Sequence, residues 1–265
     1  MLASAGLALH RLGRLAAPAS HVRVLYYHSI SETPIRSSVS PRAFASQIEY
    51  LVQHGYQLLS LSDAIAALRA GHAPTAPTAV ITLDDGFQDN YEQALPVLTR
   101  YGIPATVFLT VAYIGTDRLP TLTRTDFMPH PLDWEEVKEM GMRGVEFGSH
   151  TLTHPMLSRV PNDVARREIA ESKQVLEERL GSPVELFCYP RGDFNADVKR
   201  LVREAGYRFA CSTLPGVNDR RTDVFALRRT YISRRDSIDE FGKKMAGAYD
   251  LLQRGAILWN RLRSR

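Results

Sequence analysis

Residues 79–87 read Ala-Val-Ile-Thr-Leu-Asp-Asp-Gly-Phe, a short β-branched run that ends on two adjacent carboxylates where the chain turns. Ala79–Leu83 has the length and composition of a buried strand, and Asp-Gly is a turn signal. Six further runs of this kind lie at Val22–Tyr27, Ala105–Leu109, Val145–Gly148, Leu186–Tyr189, Tyr207–Ser212 and Ala226–Ile232, separated by longer amphipathic stretches. Strands that alternate with helices build a parallel sheet through βα crossovers. The pattern predicts an α/β fold, an incomplete (β/α)7 barrel with parallel strands, one unit short of eight. Catalytic groups of such barrels sit at the carboxyl ends of the strands.

The helices carry their own signals. Ser40-Pro41 opens one whose Phe44, Ile48 and Leu51 share a face and which Gly55 closes, and Ser62 and Gly71 bracket a second. The clearest spans Asn162–Leu180, with Ala165, Ile169, Ser172, Leu176 and Leu180 at three- and four-residue spacing before Gly181 and Pro183. Pro96, inside the pattern from Asn90 to Tyr101, predicts a kink or a restart.

The 265 residues, 44% hydrophobic and 23% charged, supply a full core and exclude a disordered or collagen-like chain. No apolar run reaches the roughly 18 to 20 residues that span a bilayer. Two cysteines, Cys188 and Cys211, make neither a disulfide framework nor a cysteine-rich zinc module, so a reducing compartment is expected and any metal falls to histidine and carboxylate. Of the net charge of +4, the acid-free residues 1–31 contribute +3 and the acid-free residues 254–265 contribute +4, which leaves −3 for the body. That distribution argues against a nucleic-acid-binding face. In residues 1–20 the arginines follow the apolar stretch Leu2–Leu9, the reverse of a secretory signal, although Ala17-Pro18-Ala19 imitates a cleavage site. A cytoplasmic location is the expectation.

An Asp-Asp-Gly alone is equally well explained by a solvated turn. The fourth strand run, however, leads into Ser149-His150-Thr151-Leu152-Thr153-His154-Pro155. The spacing of the histidines matches a zinc-protease helix, but Thr151 stands where that motif needs glutamate, and Pro155 biases His154 away from helical geometry. A metalloprotease is disfavoured. Carboxylate and two imidazoles from neighbouring strand ends instead make a three-ligand site with an open position, as for a catalytic zinc or related divalent metal. Of two adjacent carboxylates, one can hold the metal while the other, kept free, takes a proton from the attacking water.

With these motifs the sequence resembles the polysaccharide deacetylases with a NodB-homology domain, carbohydrate esterase family four. The resemblance rests on Thr82-Leu83-Asp84-Asp85-Gly86 and His150-Thr151-Leu152-Thr153-His154, with support from Phe187-Cys188-Tyr189-Pro190-Arg191-Gly192. It covers residues 78–232 and reaches the first strand through Tyr26-Tyr27-His28. It implies a NodB-like fold and a hydrolase of carbon–nitrogen bonds that removes acetyl groups, usually from N-acetylated sugars. By that resemblance Asp84 is the catalytic base, and Asp85, His150 and His154 hold one divalent metal, zinc ahead of cobalt or nickel. The Tyr-Pro pair of the third motif resembles the branch acting on exopolysaccharide poly-N-acetylglucosamine.

Two departures stand out. An arginine that commonly precedes the family's third motif orients the catalytic aspartate, and Cys188 occupies its position, so that salt bridge cannot form in the usual way. Arg191 falls at the usual tyrosine position, but the oxyanion role there uses a backbone N–H, which Arg191 retains. A late Leu-x-His motif normally supplies the imidazole that protonates the leaving amine. Here the eight histidines all lie at or before His154, and Leu227-Arg228-Arg229-Thr230 occupies the expected region without one. His28, ending the first strand, is the candidate replacement, against the plainer reading of a structural histidine. His130 is a rim candidate, Trp134 suits sugar stacking or packing at a helix start, and the two cysteines read as small core residues.

The chain is thus divided into an amphipathic basic segment, 1–20, the deacetylase barrel, 21–236, and an amphipathic basic helix, 237–265. Three function classes compete: a metal-dependent hydrolase of acetylated carbohydrate, a catalytically impaired glycan-binding barrel of the same fold, and a membrane-surface protein acting through its ends. The intact aspartate and histidine pairs favour the hydrolase, because a binder has no need of a free carboxylate beside a metal ligand. The stripe Ile238, Phe241, Met245, Ala248, Leu252, Ala256 and Trp259 keeps helical spacing into the basic residues from Arg254 onward. Such a pattern fits an interfacial helix. It supports the expectation of peripheral contact at the inner face of the membrane, with an acetylated sugar still on a lipid carrier as substrate.

Overall fold

In the computed structural model, residues 21–72, 74–117 and 130–250 are described. The strands are β1 (Val22–Tyr27), β2 (Ser29–Ile30), β3 (Ser38–Val39), β4 (Gln57–Leu58), β5 (Thr78–Asp85), β6 (Ala105–Leu109), β7 (Val145–Ser149), β8 (Leu186–Cys188), β9 (Phe209–Cys211) and β10 (Thr230–Tyr231). Every predicted strand run overlaps one of them. The seven lie parallel in a curled sheet of order β10-β1-β5-β6-β7-β8-β9, with β4 paired to the start of β5. β1 and β5 match residue for residue from Val22 opposite Thr78 to Tyr27 opposite Leu83. Both are buried along their whole length, as a parallel strand covered on two faces must be.

The circuit closes through a weaker seam. Between β9 and β10 there is no ladder; Cys211 bridges Leu227, whose N–H donates to the Ala210 carbonyl at 2.9 Å. This shortens the predicted Ala226–Ile232 run to Thr230–Tyr231 and leaves the barrel incomplete, as expected. The two-residue strands β2, β3 and β4 carry too little pattern to be read from sequence. Alternation along the strands divides the side chains. Val22, Val24, Val80, Phe108, Leu186, Cys188, Cys211 and Leu227 form one buried cluster, which Leu61, Ala64, Ile65 and Leu68 join from a helix.

The helices are α1 (Pro41–Gln53), α2 (Leu61–Arg69), α3 (Leu95–Tyr101), α4 (Trp134–Met142), α5 (Asn162–Leu180), α6 (Ala196–Glu204) and α7 (Ile238–Met245). Ser40 caps α1, and Phe44, Ile48 and Leu51 are its buried face. The cap of α2 is Ser60, not Ser62: the Ser60 hydroxyl accepts from the Asp63 N–H at 3.1 Å, because the buried stripe already begins at Leu61. Pro96 does mark a restart, with a π-helical turn over Asn90–Ala94 giving way to α3 where a missing N–H does no harm. Phe241 and Met245 bury the first half of the C-terminal stripe, and α7 packs against α1. Buried Arg23 on β1 then grips Asp250 through bonds of 3.0 and 2.8 Å. The helix predicted over 237–265 stops at Met245: Gly247 takes a φ of 78° and Ala248, the next residue of the stripe, is exposed in the turn that follows. The stripe from Leu252 onward, and the N-terminal segment 1–20, lie outside the described residues. No helix among the described residues is long and apolar enough to cross a membrane.

Candidate active site

β5 delivers the two aspartates in opposite senses. Asp84 points to the side shared with Cys188, where it meets Arg229, the residue just before β10. The guanidinium donates from Nη1 and Nη2 to the two carboxylate oxygens at 2.7 and 2.8 Å. Arg229 is 1% exposed and fully engaged: it also donates to the Ser212 carbonyl at 2.9 Å and the Thr82 hydroxyl at 3.2 Å, and lies 4.3 Å from the Tyr26 ring centroid. Its Nη2 is 3.0 Å from the Cys188 sulfur. The small side chain at 188 leaves room that an arginine from another strand occupies. The salt bridge missing from β8 is therefore supplied by Arg229, a residue the sequence reading did not assign. Its signal was a basic residue two positions after Leu227 in a run otherwise fit for a barrel interior.

Asp85 ends β5 at a φ of 77°, which turns its carboxylate toward the histidines. Its Oδ1 lies 3.5 Å from His150 Nε2 and 3.4 Å from His154 Nε2. His150 Nδ1 sits 2.8 Å from the Cys188 carbonyl, which can only accept, so that nitrogen carries a proton and Nε2 faces the site. Gly148, just before, is required: a Cβ there would lie 2.6 Å from the Phe108 ring. As Pro155 predicted, the His150–His154 stretch is not helical. Thr151 and His154 adopt φ of 71° and 64°, and the Thr151 hydroxyl accepts from the His154 N–H at 2.9 Å. Glu168 of α5 clamps the same loop, accepting from the Thr153 N–H at 2.8 Å and hydroxyl at 2.6 Å. Asp85, Thr151, His154 and Arg191 are the non-glycine residues of positive φ among those described, and all belong to this site.

The two carboxylates are driven apart electrostatically. Burial pushes Asp84 up, but Arg229 outweighs it and holds the carboxyl at about 2. Burial raises Asp85 to about 6, with the neighbouring Asp84 charge adding to the rise. Burial, then the His150 imidazole, depresses His154 to about 2, so its ring is neutral. The geometry fits a cation: the ligand atoms of Asp85, His150 and His154 all lie within 4.8 Å of one another, and acceptor atoms converge there in a buried spot.

His28 stands at the end of β1 with its ring 5.8 Å from Tyr26 and 5.9 Å from Tyr231. Its Nδ1 is buried without a hydrogen-bond partner among the described residues, and burial lowers its pKa while Asp84 pulls it up. The backbone N–H of Arg191, in the turn Pro190–Gly192 after β8, makes no hydrogen bond among the described residues. His130 is exposed and touches the site region only through its carbonyl, which accepts from the Gln88 N–H at 2.7 Å. Trp134 packs beneath Arg179 of α5, 5.1 Å from its guanidinium, in line with the packing reading. Cys188 and Cys211 are buried free thiols, paired in register across β8 and β9.

A parallel barrel with two imidazoles and a carboxylate gathered at its strand ends, and a second carboxylate held apart by arginine, defines a class of hydrolytic metal-site folds. A sequence profile of that class, described as polysaccharide deacetylase, matches residues 71–210. The YxkH protein of Bacillus subtilis is 31% identical over 220 residues, covering 83% of this chain and 74% of its own length. The poly-beta-1,6-N-acetyl-D-glucosamine N-deacetylase of Staphylococcus aureus is 27% identical over 199 residues, 71% of this chain and 65% of its own length. Among solved structures, the Streptococcus pyogenes deacetylase PplD in complex with acetate superposes with a TM-score of 0.76 at 25% identity, over 85% of this chain and 98% of that one. The chain belongs to the polysaccharide deacetylase family, a metal-dependent family of carbohydrate esterases that act on acetamido groups. The fold and family resemblance drawn from the motifs are both borne out.

Proposed function

We propose that this protein is a divalent-metal-dependent N-deacetylase of an acetylated glucosamine polymer or its lipid-linked precursor. The observation that carries the reading is the Asp84–Arg229 pair placed beside the Asp85, His150 and His154 group. The substrate named for the staphylococcal relative and the acetate held by the streptococcal structure support it. Asp85, His150 and His154 would hold the metal, zinc ahead of cobalt or nickel for this donor set. The chemistry it supplies when bound is Lewis acidity toward water and the acetyl carbonyl.

The chain's own residues do the rest. Asp84, fixed by two bonds from Arg229, accepts a proton as water oxygen attacks the acetyl carbon. The Arg191 N–H faces the oxyanion. His28 delivers a proton to the sugar nitrogen as the carbon–nitrogen bond breaks, giving acetate and a free amine. Cytoplasmic placement with peripheral membrane contact belongs to the same proposal and is supported by the charge pattern of the two ends alone.

In His150→Ala, metal content after purification is expected to fall to background with loss of acetate release; undiminished stoichiometry would refute the ligand assignment. His28→Ala is expected to keep its metal and to slow hydrolysis by about 100-fold, the typical loss of a general acid. Its pH profile should lose a limb lying below the ordinary imidazole value of 6.5, since burial lowers this ring and the protonated form is the competent one. A wild-type rate in this variant would return the leaving-group proton to Asp84.

A further inference from the structure

We infer that Asp89 and Asn90 are a positioning pair for His28, tying the strand end that carries the imidazole to the loop that follows the two aspartates. The inference rests on the deacetylase reading, in which His28 delivers the leaving-group proton. A general-acid imidazole is ordinarily oriented by a hydrogen bond on its second ring nitrogen. His28 has no such bond at Nδ1, so its ring is placed by the Tyr26 and Tyr231 rings and by its own backbone. His28 is the single residue between β1 and β2, and the pair grips the chain there at consecutive residues. Asn90 Nδ2 donates to the His28 carbonyl at 2.8 Å, while the Asp89 carboxylate accepts from the Ser29 hydroxyl at 2.6 Å and from the Ile30 N–H at 2.9 Å. Asn90 Nδ2 also donates to Asp89 Oδ1 at 3.0 Å, which makes the two side chains one unit.

That grip is held at a cost. Asp89 is 6% exposed and has no ion pair among the described residues, and burial raises its carboxyl to about 6 against the pull of its three donors. Asn90 is wholly buried, and its Oδ1 has no hydrogen-bond partner among the described residues. The same residue opens the π-helical turn Asn90–Ala94, a conformation that is rare and recurs at functional sites. Local penalties of this kind persist where a site needs them. The pair follows Asp85 within the same turn of chain, so the strand ends bearing base, metal ligand and acid are held to one another.

The test is a double-mutant cycle in the full-length, zinc-loaded protein acting on an N-acetylated glucosamine oligosaccharide. Asn90→Ala is expected to keep its metal and its KM and to lower kcat by about tenfold to a hundredfold, the range for a displaced catalytic group. In a His28→Ala background the same change should cost nothing further, because the group it positions is gone. A loss of equal size in both backgrounds, or an unchanged kcat in Asn90→Ala, overturns the proposal. If Asn90→Ala does not fold, Ser29→Ala, which removes only one donor to Asp89, takes its place in the cycle; a loss seen only where His28 is present supports the pair, and equal rates or equal losses overturn it. Histidine-ring NMR gives a readout that needs no turnover. In Asn90→Ala the imidazole resonances of His28, assigned by their absence from His28→Ala, should shift while those of His150 and His154 stay in place. If no acetylated sugar is hydrolysed, the deacetylase reading is what fails, and this spectrum then decides the pair, unshifted His28 resonances overturning it.

Discussion

Arg229→Met is expected to abolish turnover at neutral pH, by about 100-fold or more, and to recover part of it as pH rises. Without the guanidinium, burial is the dominant influence on Asp84 and moves its carboxyl above the ordinary 3.8 instead of down to about 2. A protonated Asp84 cannot accept the proton of the attacking water. The sign of the stability change follows from the same shift. In the wild type, Asp84 has a depressed folded pKa, so its contribution of about 2 kcal/mol is present above pH 3.8 and lost as pH falls toward 2. In the variant, an elevated folded pKa makes the protein relatively more stable in acid, with that advantage lost as pH rises through the new value. Arg229→Lys keeps the charge without the two-point grip and should be intermediate. Activity and denaturation midpoints measured from pH 4 to 9 check both signs; a pH-independent loss of activity would show that Arg229 acts through packing alone.

Asp84→Asn should lose turnover by about 100-fold to 10,000-fold at every pH, because an amide cannot take up the proton. It should also lose about 3 to 5 kcal/mol of stability, since Arg229 then remains a buried cation facing no anion. The double variant Asp84→Asn, Arg229→Met removes both charges, and its stability is expected to recover while its activity does not. Retained metal in all three proteins would separate the base from the ligands. Appreciable hydrolysis by Asp84→Asn at neutral pH would refute the assignment of the base.

Much of this architecture was legible because parallel strands and amphipathic helices have strong local periods. Asn162–Leu180 is the helix its apolar spacing describes, and all seven strand runs found their place in the sheet. The metal group was legible because strand ends converge at one mouth of any such barrel, although β5 and β7, read as neighbours, have β6 between them. Arg229 was not, since its role depends on a vacancy created 41 positions away at Cys188, a relation between strands that no local pattern contains. Glu168 escaped for a similar reason: on a charged helix it resembles its solvated neighbours, and only the fold brings it onto Thr153. The Ser60 cap shows the finer limit, where two serines in one stretch both satisfy the rule and the first buried leucine decides between them.

The most direct test is acetate release from a fully N-acetylated β-1,6-linked glucosamine oligosaccharide, followed alongside the appearance of free amine. Zinc-loaded wild-type protein is predicted to yield one amine per acetate, to stop when the metal is chelated and to resume when zinc is returned. Absence of acetate from all acetylated sugars offered to the metal-loaded protein, or release that chelation leaves untouched, would contradict the account.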